Sequence, residues 1–309
     1  MKRFLNRHAQ TVAVVALFAV FPLLMGQDSC YSMSGGLDWN LNPVLLPGQT
    51  GDGGEGEGEG ETDRWTGTWT SGGYEFKSDQ AETENFMTSA RKEGTLVISK
   101  KDDGYLVKSK GAESGLTMKE SGDTLVFTYA GDDAEKGYVK RSITLHNMGG
   151  GAITMLDGAG GFDSDALADL DWTWGDCLYM YKKAPDAVIS KWTGVFPVFR
   201  TTVDLGEGAN EQKVQSGAEY ITIVPLGNDK YYIQDLGDNY DIDVEQVENH
   251  LEGYETWTND DDTLTEAFYR LHKTETGVFV TRSAAVWDSG ARAKLLHATY
   301  EVMAPLTAD

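Results

Sequence analysis

The sequence predicts an all-β protein made of two tandem antiparallel modules, each an up-and-down barrel or a sandwich. Three observations carry this reading. Trp65-Thr66-Gly67-Thr68-Trp69 opens one run of short segments, and Trp192-Thr193-Gly194-Val195-Phe196 opens another. The two runs stay in step at an almost constant offset. Gly104-Tyr105-Leu106-Val107 with Gly111 lies against Lys230-Tyr231-Tyr232-Ile233 with Gly237, and Tyr129 with Asp132-Asp133 lies against Trp257 with Asp260-Asp261. Finally, the segments are strand-length, rich in β-branched and aromatic residues, and separated by turn residues, with almost no helical period.

Taken in order, the chain opens with Lys2, Arg3 and Arg7 and then an apolar run from Thr11 to Gly26. This is the pattern of a secretory signal, expected over 1–29, and the run is short for a membrane span. An uncleaved anchor is a further reading. Cys30 follows where a bacterial lipoprotein carries its lipidated cysteine, although of Gln27-Asp28-Ser29 only the small Ser29 fits the usual preceding motif. Ser32-Met33-Ser34 offers ordinary cleavage instead. Residues 30–62 then form an acidic Gly/Glu tether. Glycine keeps the backbone free and the glutamates repel one another, so an extended spacer is expected.

The first module spans 63–184. Its strands are read at Thr95–Ile98, Gly104–Val107, Leu116–Met118, Thr124–Tyr129, Tyr138–Leu145, Ala152–Leu156 and Cys177–Tyr181. Lys101-Asp102-Asp103-Gly104, Ser121-Gly122-Asp123 and Gly131-Asp132-Asp133 are hairpin chemistry. Phe162–Leu170 is the one segment of this module that could make a short helix, and Gly158-Ala159-Gly160-Gly161 is read as a flexible loop. Val97, Leu106, Phe127 and Ile153 are taken to point inward. Ala184-Pro185-Asp186 connects to the second module, 190–305, which repeats the plan from Ala218–Val224 to His297–Met303.

The opening strand of the first module, with Gly67-Thr68-Trp69, resembles the lipocalin and wider calycin group, whose Gly-x-Trp tryptophan plugs the closed end of a barrel. Bacterial exported lipocalin-like modules are similar in length and end, like Leu178-Tyr179-Met180-Tyr181-Lys182-Lys183, on an apolar strand followed by basic residues. The second module carries Phe196 where the tryptophan stands. The resemblance implies a cavity for a small apolar ligand, or a barrel whose cavity has closed. Trp65 and Trp192 are expected to cap the base of each barrel.

The charge balance is 26 basic against 49 acidic residues, a net of −23, which argues against nucleic acid and against an electrostatic grip on anionic lipid. With two cysteines no disulfide framework is expected, and Cys177 among apolar strand residues is read as free and buried. Single histidines give no transition-metal motif, although His272 and His297 are placed to meet if their strands adjoin. Asp235, Asp238, Asp241 and Asp243, or Asp260-Asp261-Asp262, are calcium candidates that match no standard loop. No nucleophile elbow occurs.

The aromatic residues remain. Trp172 and Trp174 are two apart and share one face of a strand, while Trp257 and Trp287 lie on or beside strands of the second module. All four are candidate ligand-binding residues, or else core. The expectation is an exported, lipid-anchored, non-enzymatic protein without cofactor that binds a small apolar ligand. It meets membrane only through its N-terminus and takes no nucleic acid. The alternatives are a carbohydrate- or protein-binding surface built on aromatics, and a hydrolase with an unrecognised carboxylate pair.

Overall fold

The computed structural model describes residues 63–80, 87–133, 136–165, 167, 169–184, 187–206, 213–235 and 241–306. The expected signal and tether, Cys30, Asp238 and the Pro185-Asp186 connector lie outside the described residues. The first eight strands are β1 (Gly67–Asp79), β2 (Met87–Lys101), β3 (Gly104–Ser109), β4 (Leu116–Ser121), β5 (Thr124–Asp133), β6 (Gly137–Gly149), β7 (Ala152–Phe162) and β8 (Leu170–Tyr181). Each pairs antiparallel with the next, and β1 also pairs with β8, closing a barrel.

Eight further strands lie outside that barrel: β9 (Gly194–Gly206), β10 (Lys213–Gly227), β11 (Lys230–Asp235), β12 (Asp241–Val247), β13 (His250–Thr258), β14 (Leu264–Lys273), β15 (Val278–Trp287) and β16 (Leu295–Pro305). They repeat the same neighbour pairings, and β16 pairs back onto β9. The repeat seen in sequence is thus a repeat of strand order. β3 answers β11, and Tyr129 on β5 answers Trp257 on β13. Gly67 and Gly194 open β1 and β9 with φ of 144° and 149°, a backbone conformation that side chains disfavour. This explains why the Trp-Thr-Gly opening keeps its glycine.

Below these glycines the lumen of the first barrel is filled. Trp65 and Trp69 are buried with Ile98, Met118, Leu125 and Met180 in one apolar cluster. Trp69 Nε1 donates to the Trp65 carbonyl at 2.8 Å, and Lys182 Nζ lies 4.9 Å from the centre of the Trp69 ring. Trp192 takes the matching place in the second set, with Lys273 Nζ at 4.7 Å. Phe196, the aromatic replacing Trp69, packs against that cluster only part-buried.

Four expectations are corrected. Gly131-Asp132-Asp133 is not a turn but the end of β5, paired with Val139, Tyr138 and Gly137 of β6. On β2 and β3 it is Leu96, Ile98, Tyr105 and Val107 that enter the core, while Val97 and Leu106 face out. The run Leu96-Val97-Ile98 has no polar member to set its phase, so the register was not readable. Phe162–Leu170 contains no helix among its described residues. β7 runs to Phe162, Leu167 takes a φ of 55°, and β8 starts at Leu170. Gly158–Gly161 is not a loop but buried strand. A Cβ on Gly158 would lie 2.6 Å from Val203 Cγ1, so the missing side chain lets β9 approach.

The two sets of strands are packed together rather than strung apart. One cluster joins Phe76, Leu156 and Cys177 to Val203, Phe279 and Tyr300, and a second joins Phe162 and Leu170 to Leu264, Trp287 and Leu295. Tyr300 sits on the backbone of Gly175, whose Cβ would lie 2.5 Å from its ring, and its hydroxyl is 2.7 Å from Thr173 Oγ1. Cys177 is free and buried as expected, and burial pushes its thiol pKa well up.

Candidate functional site

Antiparallel register fixes which side chains share the lumen of the first barrel, because directly paired residues lie on one face. Lys77, Trp174, Ala159, Arg141 and Tyr129 are successive partners across β1, β8, β7, β6 and β5. One step deeper the row is Glu75, Asp176, Asp157, Ile143 and Phe127, and one step shallower it is Asp79, Trp172, Gly161, Val139 and Gly131. These rows sit above the apolar plug, toward the end opposite Trp65. The lumen therefore changes character halfway up, from packed aliphatics to charges and aromatics.

The charges form one connected floor. Arg141 donates from Nε and Nη2 to the two carboxylate oxygens of Asp157 at 2.9 and 2.6 Å, a fork geometry that uses both acceptors. Lys92 reaches up from β2 to Asp176 Oδ2 and to Glu75 Oε2, the latter at 3.4 Å. Glu75 also takes Lys77 at 2.6 Å and the indole N–H of Trp174 at 3.0 Å. Arg141 and Lys92 each lie 5.4 Å from the Trp174 ring centre, so this tryptophan is a strut between two cations.

Burial sets the protonation states, and the ion pairs correct it. Burial alone would raise Glu75, but Lys92, Lys77 and the Trp174 N–H outweigh it and hold this carboxyl below its ordinary value. Burial works against the Lys92 ammonium, yet Asp176 and Glu75 win and raise it. Arg141 is raised in the same way, Asp157 overcoming burial. Asp176 goes the other way. Burial, with Glu75 and Asp157 adding to it, beats the attraction of Lys92 and pushes Asp176 up to about 6.

Above this floor stand the rings. The Trp172 indole lies against Gly161, where a Cβ would meet Nε1 at 2.2 Å, so glycine is what seats it. Tyr129 shares the lumenal row of Arg141 yet is 46% exposed, which places it at the open mouth. Trp172 and Trp174 do share a face, as the sequence spacing implied. Trp257 is half-buried against the core of the second strand set, its Nε1 donating to Asn259 at 3.0 Å. Trp287 is fully buried in the cluster joining the two sets and is packing, not lining.

The second strand set holds a comparable charged layer from different residues. Glu301 accepts from Arg282 at 2.6 Å, from Arg200 at 3.2 Å and from Thr202 at 3.2 Å, and Arg200 also meets Glu219 at 2.7 Å. His272 and His297 do not meet. β15 runs between their strands; His272 stacks on Tyr74 and His250, and His297 lies 3.8 Å from Asp204. Among the described residues no group of three or more His, Cys, Asp or Glu is placed to hold a metal ion.

No protein-family profile matches the chain, and no curated protein matches it. Among solved structures it is similar to a protein of unknown function of the DUF3598 family from Nostoc punctiforme. The two share 8% identity over 79% of this chain and 97% of that one, at a TM-score of 0.29. So distant a likeness carries no functional argument.

The charged members of the site, Glu75, Lys92, Arg141, Asp157 and Asp176, were not singled out by sequence reasoning. One signal existed. Asp157 and Asp176 are single acids directly adjoining the largely apolar stretches Ile153–Leu156 and Cys177–Met180, on the strand face shared with Ile153 and Met155 and with Leu178 and Met180.

Proposed function

We propose that this is an exported, lipid-anchored binding protein of lipocalin-like build, and that it takes a sugar at the mouth of the first barrel without acting on it chemically. The observation that supports the reading is the stacking of two layers. Trp172 and Tyr129 offer ring surface above a floor of Glu75, Lys92, Arg141 and Asp176. A sugar presents the same two characters, a C–H face that packs on aromatic rings and hydroxyls that pair with charged groups. An apolar ligand fits less well, because the lower lumen is occupied by Ile98, Met118, Leu125 and Met180, and the upper lumen is charged. The tryptophan plug, with Lys182 over Trp69, favours the lipocalin-like name for the first module.

The test is a glycan array followed by calorimetry on the best binder, with Trp172→Ala and Glu75→Gln as variants. Loss of binding in both, with unchanged melting of Trp172→Ala, is the expected result. Recovery of a co-purified lipid by native mass spectrometry, with no glycan bound, would restore the apolar-ligand reading. A second reading, a protein-binding surface, is favoured by Val195, Tyr220 and Leu226, which are more than half exposed on β9 and β10 at 60%, 55% and 55%.

A further inference from the structure

The outer faces of β1, β7 and β8 pack on those of β9, β15 and β16, and histidines gather at this seam. Three of the four described histidines lie against an aromatic ring from the opposite side. His272 of β14 is 1% exposed and stacks on Tyr74 of β1, with ring centres 5.5 Å apart and planes 20° from parallel. His250, its register partner on β13, lies 5.4 Å from it and 6.4 Å from the same tyrosine. At a second point His146 of β6 lies flat on Phe199 of β9, 4.0 Å away with planes 6° from parallel.

The surroundings of His272 do not suit a charge. Arg270 stands two residues along β14, and Arg91 of β2 is the register partner of Tyr74. Glu252 of β13 is engaged by Arg270 at 3.4 Å and by His250 at 3.3 Å, and Glu93 by Arg91 at 2.6 Å. Glu248, in the turn after β12, acts on Tyr74 from further off. Neutral groups supply the rest, Phe279 of β15 beside His272 and Cys177 of β8 beside Tyr74. Arg270 already lies 5.6 Å from the centre of the Tyr74 ring, so a second cation there adds repulsion to the cost of burial. Around His146 stand Thr124 of β5 and Thr154 of β7, with the Arg64–Asp123 ion pair nearby.

We propose that this seam is an acid-sensitive latch: protonation of His272 and His146 parts the first barrel from the second strand set, while each set keeps its own strand pairing. A latch of this kind does not depend on what the first barrel binds. Burial, with His250, Arg91 and Arg270 adding to it, holds His272 well below its ordinary value, and burial lowers His146 against the pull of Asp123. A base lowered by folding contributes stability that is fully present above its unfolded value near ~6.5 and is lost as pH falls toward the folded one. Below that point each histidine favours opening by up to about tenfold per pH unit. His297, over Asp204, and Asp176, pushed up to about 6, face the two lumens rather than the seam.

Cys177 reports the opening, because it is fully buried on the outer face of β8 under the second strand set. The experiment follows its modification in the full chain by a pyridyl disulfide, which still reacts at pH 5. Mass spectrometry reads the Cys177 peptide, and each rate is divided by that of urea-unfolded chain at the same pH. Wild type should label at least about tenfold faster at pH 5.5 than at pH 7.5, while the paired amides of β6, β7, β14 and β15 stay protected from hydrogen exchange. The double variant His146→Phe with His272→Phe keeps both rings and removes both titrations, so its rates at the two pH values should agree within about twofold. Wild-type labelling that does not change with pH, or a folded double variant that keeps the wild-type pH dependence, overturns the latch. Amide exchange that rises in step with labelling overturns it too, because acid would then be unfolding the chain. If the double variant fails to fold, His146→Phe alone decides: its labelling should rise less than that of wild type, and an equal rise overturns the proposal.

Discussion

Replacing Tyr300 with alanine should loosen both strand sets together, although the residue belongs to β16. Its side chain is fully buried, its ring lies on the Gly175 backbone of β8 and 6.5 Å from the ring of Phe76 on β1. Truncating a buried aromatic costs about 3–5 kcal/mol, because the surroundings close the cavity only in part. Closure should be poor here, since one wall is backbone. Tyr300→Phe keeps the ring and deprives Thr173 Oγ1 of its 2.7 Å partner, which costs about 1–3 kcal/mol. Urea unfolding gives the two magnitudes in order. Hydrogen exchange by mass spectrometry then locates the loss, which should reach β7 and β8 as much as β15 and β16. Exchange that rises only in β9–β16 would refute the reasoning, because it would mean that the shared clusters do not couple the two halves.

Three more expectations follow from buried groups. Asp157→Ala leaves Arg141, with a side chain only 6% exposed, without its forked partner, and should cost about 3–5 kcal/mol in a urea melt. A cost under about 1 kcal/mol would mean that water reaches Arg141. Glu301 is raised by burial but lowered more by Arg282 and Arg200, so its folded carboxyl lies below its unfolded value. Its contribution is then fully present above the unfolded value near ~4.3 and is lost as pH falls through the folded one. Wild type should destabilise on acidification below about pH 4, and Glu301→Gln, weaker at pH 7, should lose less over that range. Cys177 is fully buried with its thiol pKa raised, so a thiol reagent should label it only as fast as the chain opens. Rapid labelling at pH 8 under native conditions would contradict its position.

Much of the fold is legible in the sequence because turns and repeats are local. The Trp65 and Trp192 openings, the Ser121-Gly122-Asp123 turn and the spacing of Tyr129 and Trp257 each report on their own segment. Phase and partnership are not local. Leu96-Val97-Ile98 reads equally well in either phase, and only pairing with Thr68, Trp69 and Lys108 fixes it. Gly158–Gly161 reads as a loop by composition, and only the approach of Val203 and Trp172 explains it as a strand. The site divides in the same way. Trp172 and Trp174 were legible as one face because two residues of one strand suffice. The floor draws on β1, β2, β6, β7 and β8, and no spacing within the chain states that Lys92 meets Asp176.

The two halves solve one physical problem differently. Each puts charged side chains into its lumen above an apolar base, an arrangement that gives little net stability even when well paired. In the second half Glu301 is held between Arg282 and Arg200 and by Thr202, so its acceptors are taken up within the protein. Glu301 there is a strut. In the first half the count of partners stops one short, at Asp176 Oδ1, and the rings above it, Trp172 and Tyr129, reach solvent. If both layers were struts, Asp176→Leu together with Lys92→Met should be as tolerable as removing the Glu301 triad, since packed apolar pairs commonly replace buried ion pairs without loss. The binding reading makes the same double variant stable but unable to hold a sugar. A variant that melts like wild type and still binds would place recognition outside this lumen.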